Sequence, residues 1–288
     1  MDLLQQIVSG LTTGSLYVLL ALGVSLLYRA LEIVNFAYGE TFMLGAFTGL
    51  ILYDWLHIPF PITLILTMVI SGLIGVLIEK IAYRRLYKKH HLILLLATVG
   101  VSVFIRSGAT AVFGTVPQAF PSVFGEKPIM LGTLILIPQN LFILGVACVI
   151  AIILQIFLKG NFGTAMRAAA QSKDAASLMG INIVSTTVAT WGISSALGGV
   201  AGLLMSPIFF VATTVGTSIL IKGFAAAVLG GIGNLPGAIV GGLLLGIIEN
   251  IGAFYISSTW KDGISFAVML LVLMVRPAGL FGKYIEKI

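Results

Sequence analysis

Residues 7–28 carry no charge at all, and a helix needs about 20 mainly apolar residues to cross the hydrocarbon of a bilayer. The pattern recurs along the chain. Apolar stretches at 33–53, 61–78, 92–113, 139–158 and 184–205 read as further spans, and 263–275 as the last one. Between these, 218–251 is long enough for two short helices broken at 233–236. About nine crossings are expected. Only 9% of the 288 residues are charged, too few to cover a water-facing surface. A soluble enzyme, a disordered chain and a disulfide scaffold are therefore excluded, and the lone Cys148 has no intrachain partner. Asp2 stands where a secretory signal would be basic, so the first apolar run reads as a retained span. The expected fold class is an all-α polytopic membrane protein with about 8–10 transmembrane helices, some of them discontinuous, built as a single domain over 1–288.

The net charge of +6 is no mark of a nucleic-acid binder, because in a membrane chain the placement of the basic residues matters. With the N-terminus outside, the inner loops are 29–32, 79–91, 159–183 and 276–288. They hold Arg29, Lys80, Arg84, Arg85, Lys88, Lys89, Lys159, Arg167, Lys173, Arg276, Lys283 and Lys287, whereas Lys127 and Lys261 fall in outer loops. This bias predicts an N-outside, C-cytoplasmic topology. The outer connection 114–138 contains Pro117, Pro121, Pro128 and Pro138, and its 128–137 strip reads as an apolar, β-rich lid or hairpin, or as a docking surface.

Glycines four residues apart recur at Gly10/Gly14, Gly45/Gly49, Gly198/Gly202, Gly237/Gly241 and Gly242/Gly246, as close helix packing in lipid requires. Two stretches break a span at membrane depth, 34–39 around Asn35 and 230–237 around Asn234. Each is either a packing kink or a discontinuous helix that offers backbone groups to a solute. Ionisable residues within spans are functional candidates by default, and here they are Glu40, Arg106, Lys222 and Glu249. Glu40 with Arg106, or Glu249 with Lys222, would neutralise one another, or line a path; Lys222, near a span end, is expected to snorkel. The candidates for the path are Asn35, Glu40, Asn234 and Glu249. His90 and His91 adjoin a basic loop and read as a solvated or headgroup-facing pair. The chain has no P-loop, zinc-protease helix or serine elbow motif, so it is not expected to be an enzyme or to hold a cofactor.

The inner loop at 160–183 is the most informative segment. Helix formers dominate 164–171 and 174–179, and Gly180 is placed to end a helix, so a short cytoplasmic helix is expected. Asp174-Ala175-Ala176-x-x-x-Gly180 resembles the E-A-A-x-x-x-G loop of ABC importer permeases, with Asp for Glu and without the longer form's I-x-L-P tail. Beside it stand Asn35-Phe36-Ala37-Tyr38-Gly39-Glu40 with Met43-Leu44-Gly45-Ala46, the block from Phe224 to Ala238, and Arg276-Pro277-Ala278-Gly279-Leu280-Phe281-Gly282. In this order and spacing the chain is similar to the branched-chain amino acid ABC transporter permease family, and to its H-type (LivH-like) subunit rather than the longer M-type.

The resemblance implies a permease subunit of an ATP-driven importer for leucine, isoleucine and valine, multi-pass in a bacterial inner membrane. Its partners would be a second homologous permease, two cytoplasmic ATPases that hydrolyse the ATP, and an extracytoplasmic solute-binding protein, with membrane lipid around it and no nucleic acid. The 160–183 loop would be the coupling helix against the ATPase, with Arg167, Asp174, Ala175, Ala176 and Gly180 as its contact residues. The alternatives are a stand-alone secondary transporter working through Glu40 or Glu249, a channel or structural subunit, or a same-family permease for urea, amides or other amino acids.

Overall fold

A computed structural model describes residues 2–31, 34–87, 89–123, 129–131 and 134–282. Ile33, where the second span was expected to begin, lies outside them, as do Lys88, Lys127, Pro128, Lys283 and Lys287. Helix α1 (Asp2–Leu31) is followed by the break around Asn35, whose Oδ1 accepts the Ala37 N–H at 3.0 Å. This turn, typical of an Asx side chain, lets α2 (Tyr38–Leu50) start afresh; one π-helical turn, Ile51–Trp55, extends it. Helix α3 (Phe60–Ile78) has Pro61 in its first turn, where the missing N–H costs nothing, and runs on as a π turn through Glu79–Tyr83. Helix α4 (His91–Phe113) is capped by His90, whose Nδ1 accepts the Leu92 N–H. It ends at Gly114, whose φ of 81° suits glycine.

The strip in the connection expected to lie outside forms a small antiparallel hairpin of β1 (Ile129–Leu131) and β2 (Leu134–Leu136). Then come α5 (Pro138–Lys159), α6 (Asn161–Gln171), α7 (Lys173–Leu178), α8 (Ile183–Met205), α9 (Val215–Gly230), α10 (Leu235–Tyr255) and α11 (Lys261–Val275). The chain is thus an all-α polytopic membrane protein apart from that hairpin. Among the described residues seven helices are long and apolar enough to cross a membrane. The remaining expected spans are α2, which starts after the break around Asn35 and reaches 18 residues only with its π turn, and α9, whose 16 residues end before Gly231; at about 1.5 Å per residue both fall short of the roughly 30 Å hydrocarbon. The late break falls at 231–234 rather than 233–236, and α10, with 21 residues, is a full-length helix rather than a short one. The reason is Pro236: it sits in the first turn of α10 and starts that helix instead of interrupting it.

Two compact units make up the chain. The first comprises Met1–Ser25, Ser122–Ile152 and Ile221–Ile288. Here Gly10 and Gly14 lie against Ile247 and Leu243, and Gly242 against Val18, so α1 and α10 run antiparallel with their backbones in contact. Gly230 and Gly241 bring α9 onto α10 in the same manner, and α11 packs antiparallel to α10 through Gly252 and Ile264. The second unit comprises Leu26–Pro121 and Ile153–Leu220. Its centre is α8, against which α3 packs antiparallel (Ser71 on Gly199, Val76 on Gly192) and α2 packs through Gly45 on Gly199. Phe47 stacks on Phe113 with centroids 4.2 Å apart, and Ser102 bonds Glu40, so α2 and α4 run parallel. The outward faces of α3 and α4 carry exposed Ile65, Leu73 and Phe104, as lipid contact demands.

Candidate functional site

The break before α2 places Glu40 in that helix's first turn, inside the second unit. Its side chain is 1% exposed. Oε1 accepts a hydrogen bond from Ser102 at 2.8 Å, and Oε2 has no hydrogen-bond partner among the described residues. Ser102 lies about halfway along α4, eleven residues after His91 at about 1.5 Å each, so Glu40 stands at roughly that helix's mid-depth. The first turn of α9 closes the other side. Gly216 lies on the Gly39 backbone, and a Cβ there would come within 3.0 Å of Glu40 Oε2. Arg106 does not form the expected ion pair with Glu40. Its Nη1 donates to Thr217 Oγ1 at 2.9 Å, also in α9's first turn, while its charge still reaches Glu40 through space. Gly39 on Gly216 holds α9 close to α2, and this brings the Thr217 hydroxyl within reach of the guanidinium.

Alongside runs an apolar cleft lined by Phe42, Met43, Met205, Phe209, Val211 and Val215, closed down in this conformation to the room of about one water. Asn35 is not in the cleft. Its Oδ1, which turns the break, also receives the Tyr83 hydroxyl at 3.4 Å.

Glu249, in the first unit, has the opposite surroundings. It is fully buried, yet Tyr17 donates to both oxygens at 2.9 and 3.0 Å, Ser265 donates at 2.7 Å, and Lys222 Nζ stands 3.0 Å away. Lys261 approaches to 3.5 Å, and Lys222 also pairs with Asp262 at 2.7 Å. The expected Glu249–Lys222 neutralisation is present. The expected snorkelling of Lys222 is not: its side chain is only 12% exposed, because two carboxylates hold the ammonium in the interior. Asn234 likewise works inside the fold. Its Oδ1 accepts the Gly237 N–H at 3.2 Å, which caps α10, and its Nδ2 donates to the Phe281 carbonyl at 2.7 Å.

The 160–183 loop folds as two helices, α6 and α7, rather than one, because Ser172 takes an extended conformation and caps α7 by accepting the Ala175 N–H at 3.2 Å. Arg167 donates to the Leu158 carbonyl at 3.0 Å and to Thr164, which holds α6 against the end of α5. Asp174 lies in the first turn of α7, where a negative charge is favourable. Gly180 has a φ of 84°, and the N–H groups of Gly180 and Ile181 bond to Ser177 and Ala176, a Schellman ending. Ala176 is buried, while Leu178 and Met179 next to it are 89% and 83% exposed.

Sequence reasoning missed two features. Glu79, read as the start of an inner loop, is fully buried on the π turn that continues α3, the same turn whose Tyr83 ring lies 4.5 Å from that of Trp191. Burial, and then the charge of Glu79, push the Tyr87 phenol well above its ordinary range, so it stays neutral beside the carboxylate. Only the helical spacing 79–83–87 could have shown them sharing a face. Second, the 276–282 block docks on the end of α9: Leu280 and Phe281 donate their N–H groups to the carbonyls of Leu229 and Gly230. Two motif blocks far apart in sequence are one joint.

The family model described as the permease component of a branched-chain amino acid transport system matches residues 6–273, through both units. The high-affinity branched-chain amino acid transport system permease protein LivH of Escherichia coli (strain K12) is 34% identical, over 99% of this chain and 97% of its own. BraD of Pseudomonas aeruginosa, of the same description, is 34% identical over 99% and 98%. A probable branched-chain amino acid transport permease protein LivH of Methanocaldococcus jannaschii is 30% identical over 93% and 89%. Among solved structures, PsaBC from Streptococcus pneumoniae in complex with Fab superposes with a TM-score of 0.52 at 13% identity, covering 95% of this chain and 92% of that one; it shares the fold.

Proposed function

The chain belongs to the family of branched-chain amino acid transport permease components, and on that premise we propose that it is the membrane subunit of an ATP-driven importer for leucine, isoleucine and valine. It would pair with a second permease, two cytoplasmic ATPases and an extracytoplasmic binding protein, in a bacterial inner membrane with its N-terminus outside and its C-terminus cytoplasmic. The chain itself contributes no ATPase site to this reading, and the two units act as one permease domain. Helix directions support the topology. In the second unit α2, α4 and α8 run one way and α3 the other, and in the first α1 and α9 oppose α10, as successive crossings with an odd total require. The end of the second unit where α3 finishes and α4 and α8 begin carries Arg84, Arg85 and Lys89, and is the cytoplasmic side in this reading.

The observation that carries the ATPase coupling is the α6–α7 excursion, with Ala176 anchored in the fold and Leu178 and Met179 bare beside it. Arg167, Asp174, Ala175, Ala176 and Gly180 shape this excursion, and an ATPase groove over Leu178 and Met179 would move it between two states. Reconstituted with its partner subunits in liposomes, the chain should import labelled leucine only with ATP inside; import by the chain alone without ATP would overturn the reading. The double variant Ala176→Asp, Gly180→Asp should insert normally but hydrolyse ATP without uptake, and normal uptake would remove the coupling role from this loop. Competition of leucine uptake by urea or amides at equal concentration would favour the same-family reading for those solutes instead.

A further inference from the structure

We propose that Glu40, Arg106 and the first turn of α9 form the membrane-depth recognition site for the charged half of an α-amino acid, with the neighbouring apolar cleft taking its side chain. This assignment rests on the importer reading above. It starts from a carboxylate that has one oxygen satisfied by Ser102 and the other accepting nothing, at mid-depth and 1% exposed. A buried carboxylate in that state is costly unless something donates to it. Glu249 is the contrast: both its oxygens are bonded and two lysines stand against it. Glu40 has no such set, and the cation in its reach, Arg106, bonds elsewhere.

The free oxygen points at α9's first turn, where backbone N–H groups without intrahelical partners, the Arg106 guanidinium and the Thr217 hydroxyl gather. A single carboxylate and a cluster of donors, side by side and not joined to one another, match the two charges of a zwitterion: the ammonium donates to Glu40 Oε2, and the carboxylate accepts from Arg106 and the α9 turn. Discontinuous helices serve anionic solutes by this principle. Thr217 is exposed and Arg106 half-buried on the flank of the unit, a pairing too polar for lipid at mid-depth, so this flank faces a solute path or a partner. The cleft beginning one turn beyond Glu40, at Phe42 and Met43, supplies aliphatic and thioether walls for a branched side chain. It has to open by more than one water's room before leucine enters, so the structure shows the site closed.

The test is leucine uptake by the complete transporter in proteoliposomes, expressed as leucine imported per ATP hydrolysed. Glu40→Gln and Arg106→Gln should each lower that ratio by about tenfold or more, the cost of one charge-assisted hydrogen bond. Arg106→Lys, which keeps the charge but loses the fork, should recover part of it. Because Arg106 is only half-buried, its variants report function even if Glu40→Gln fails to fold. A wild-type ratio in Arg106→Gln overturns the site while leaving the importer reading intact. So does a loss that Arg106→Lys does not relieve. Absence of ATP-driven leucine uptake in the wild type overturns both.

Discussion

Replacing Lys222 by Met should destabilise the first unit far more than the loss of one hydrogen bond implies, and removing Glu249 as well should restore much of the loss. Lys222 Nζ stands 3.0 Å from a fully buried carboxylate. Lys222→Met leaves that charge with two hydroxyl donors and with Lys261, which at 3.5 Å and 27% exposed compensates only in part. Breaking one side of a buried pair costs about 3–5 kcal/mol, and the remaining lysine reduces this to about 2–4 kcal/mol. Asp262 also loses a partner, but at 61% exposed it is hydrated at little cost. In Lys222→Met with Glu249→Leu the buried charge is gone, and what remains is two unpaired hydroxyls, about 1–3 kcal/mol each at most and less where they find backbone carbonyls. A thermal-melting cycle on the purified chain in one detergent measures the coupling. At about 2–4 °C per kcal/mol, the lysine variant should melt roughly 4–16 °C below wild type. The double variant should lie above the sum of the single shifts by the equivalent of about 2 kcal/mol. If the two single effects add to within about 0.5 kcal/mol, the pair is not coupled and the account of this cluster is wrong.

The glycine contacts give a matched pair of variants: Gly45→Ala, whose Cβ would meet the Gly199 backbone, should melt well below wild type, while Gly100→Ala, which meets nothing, should equal or exceed it. Equal melting temperatures for the two would refute the close α2–α8 packing. Asn234→Ala removes both the α10 cap and the bond to Phe281, about 1 kcal/mol for the cap alone, and should speed amide exchange at Leu280 and Phe281; unchanged exchange there would detach the 276–282 block from the α9 end. Gly180→Ala forces a side chain to a φ of 84° at a cost of about 1–2 kcal/mol, so protease cleavage at 172–182 should accelerate; an unchanged rate would show that the Schellman ending does not hold α7.

Much of this was legible because membrane insertion is a local property. Mainly apolar runs reported the spans, and Asn35 and Asn234 within such runs reported the breaks, since each such side chain caps or turns the backbone within three residues of itself. The hairpin strip, the Gly180 ending and the Glu249–Lys222 pair were readable for the same reason or from charge alone. Glu79 was not, because its burial depends on which face of α3 meets α8, and hydropathy does not carry that information.

By itself the sequence determined that lipid surrounds the chain, roughly where most of the spans lie, and that the four motif blocks belong to one family. Tertiary structure alone decided what each ionisable residue inside the spans touches. Tyr17 reaches Glu249 across 232 positions, and Leu280 meets Leu229 across a whole helix pair, because glycines let particular helix backbones touch. The same kind of contact, Gly39 on Gly216, leaves Glu40 with an open oxygen. The cost of a charge inside a membrane is settled by its neighbours in space, and no local pattern in the chain fixes those neighbours.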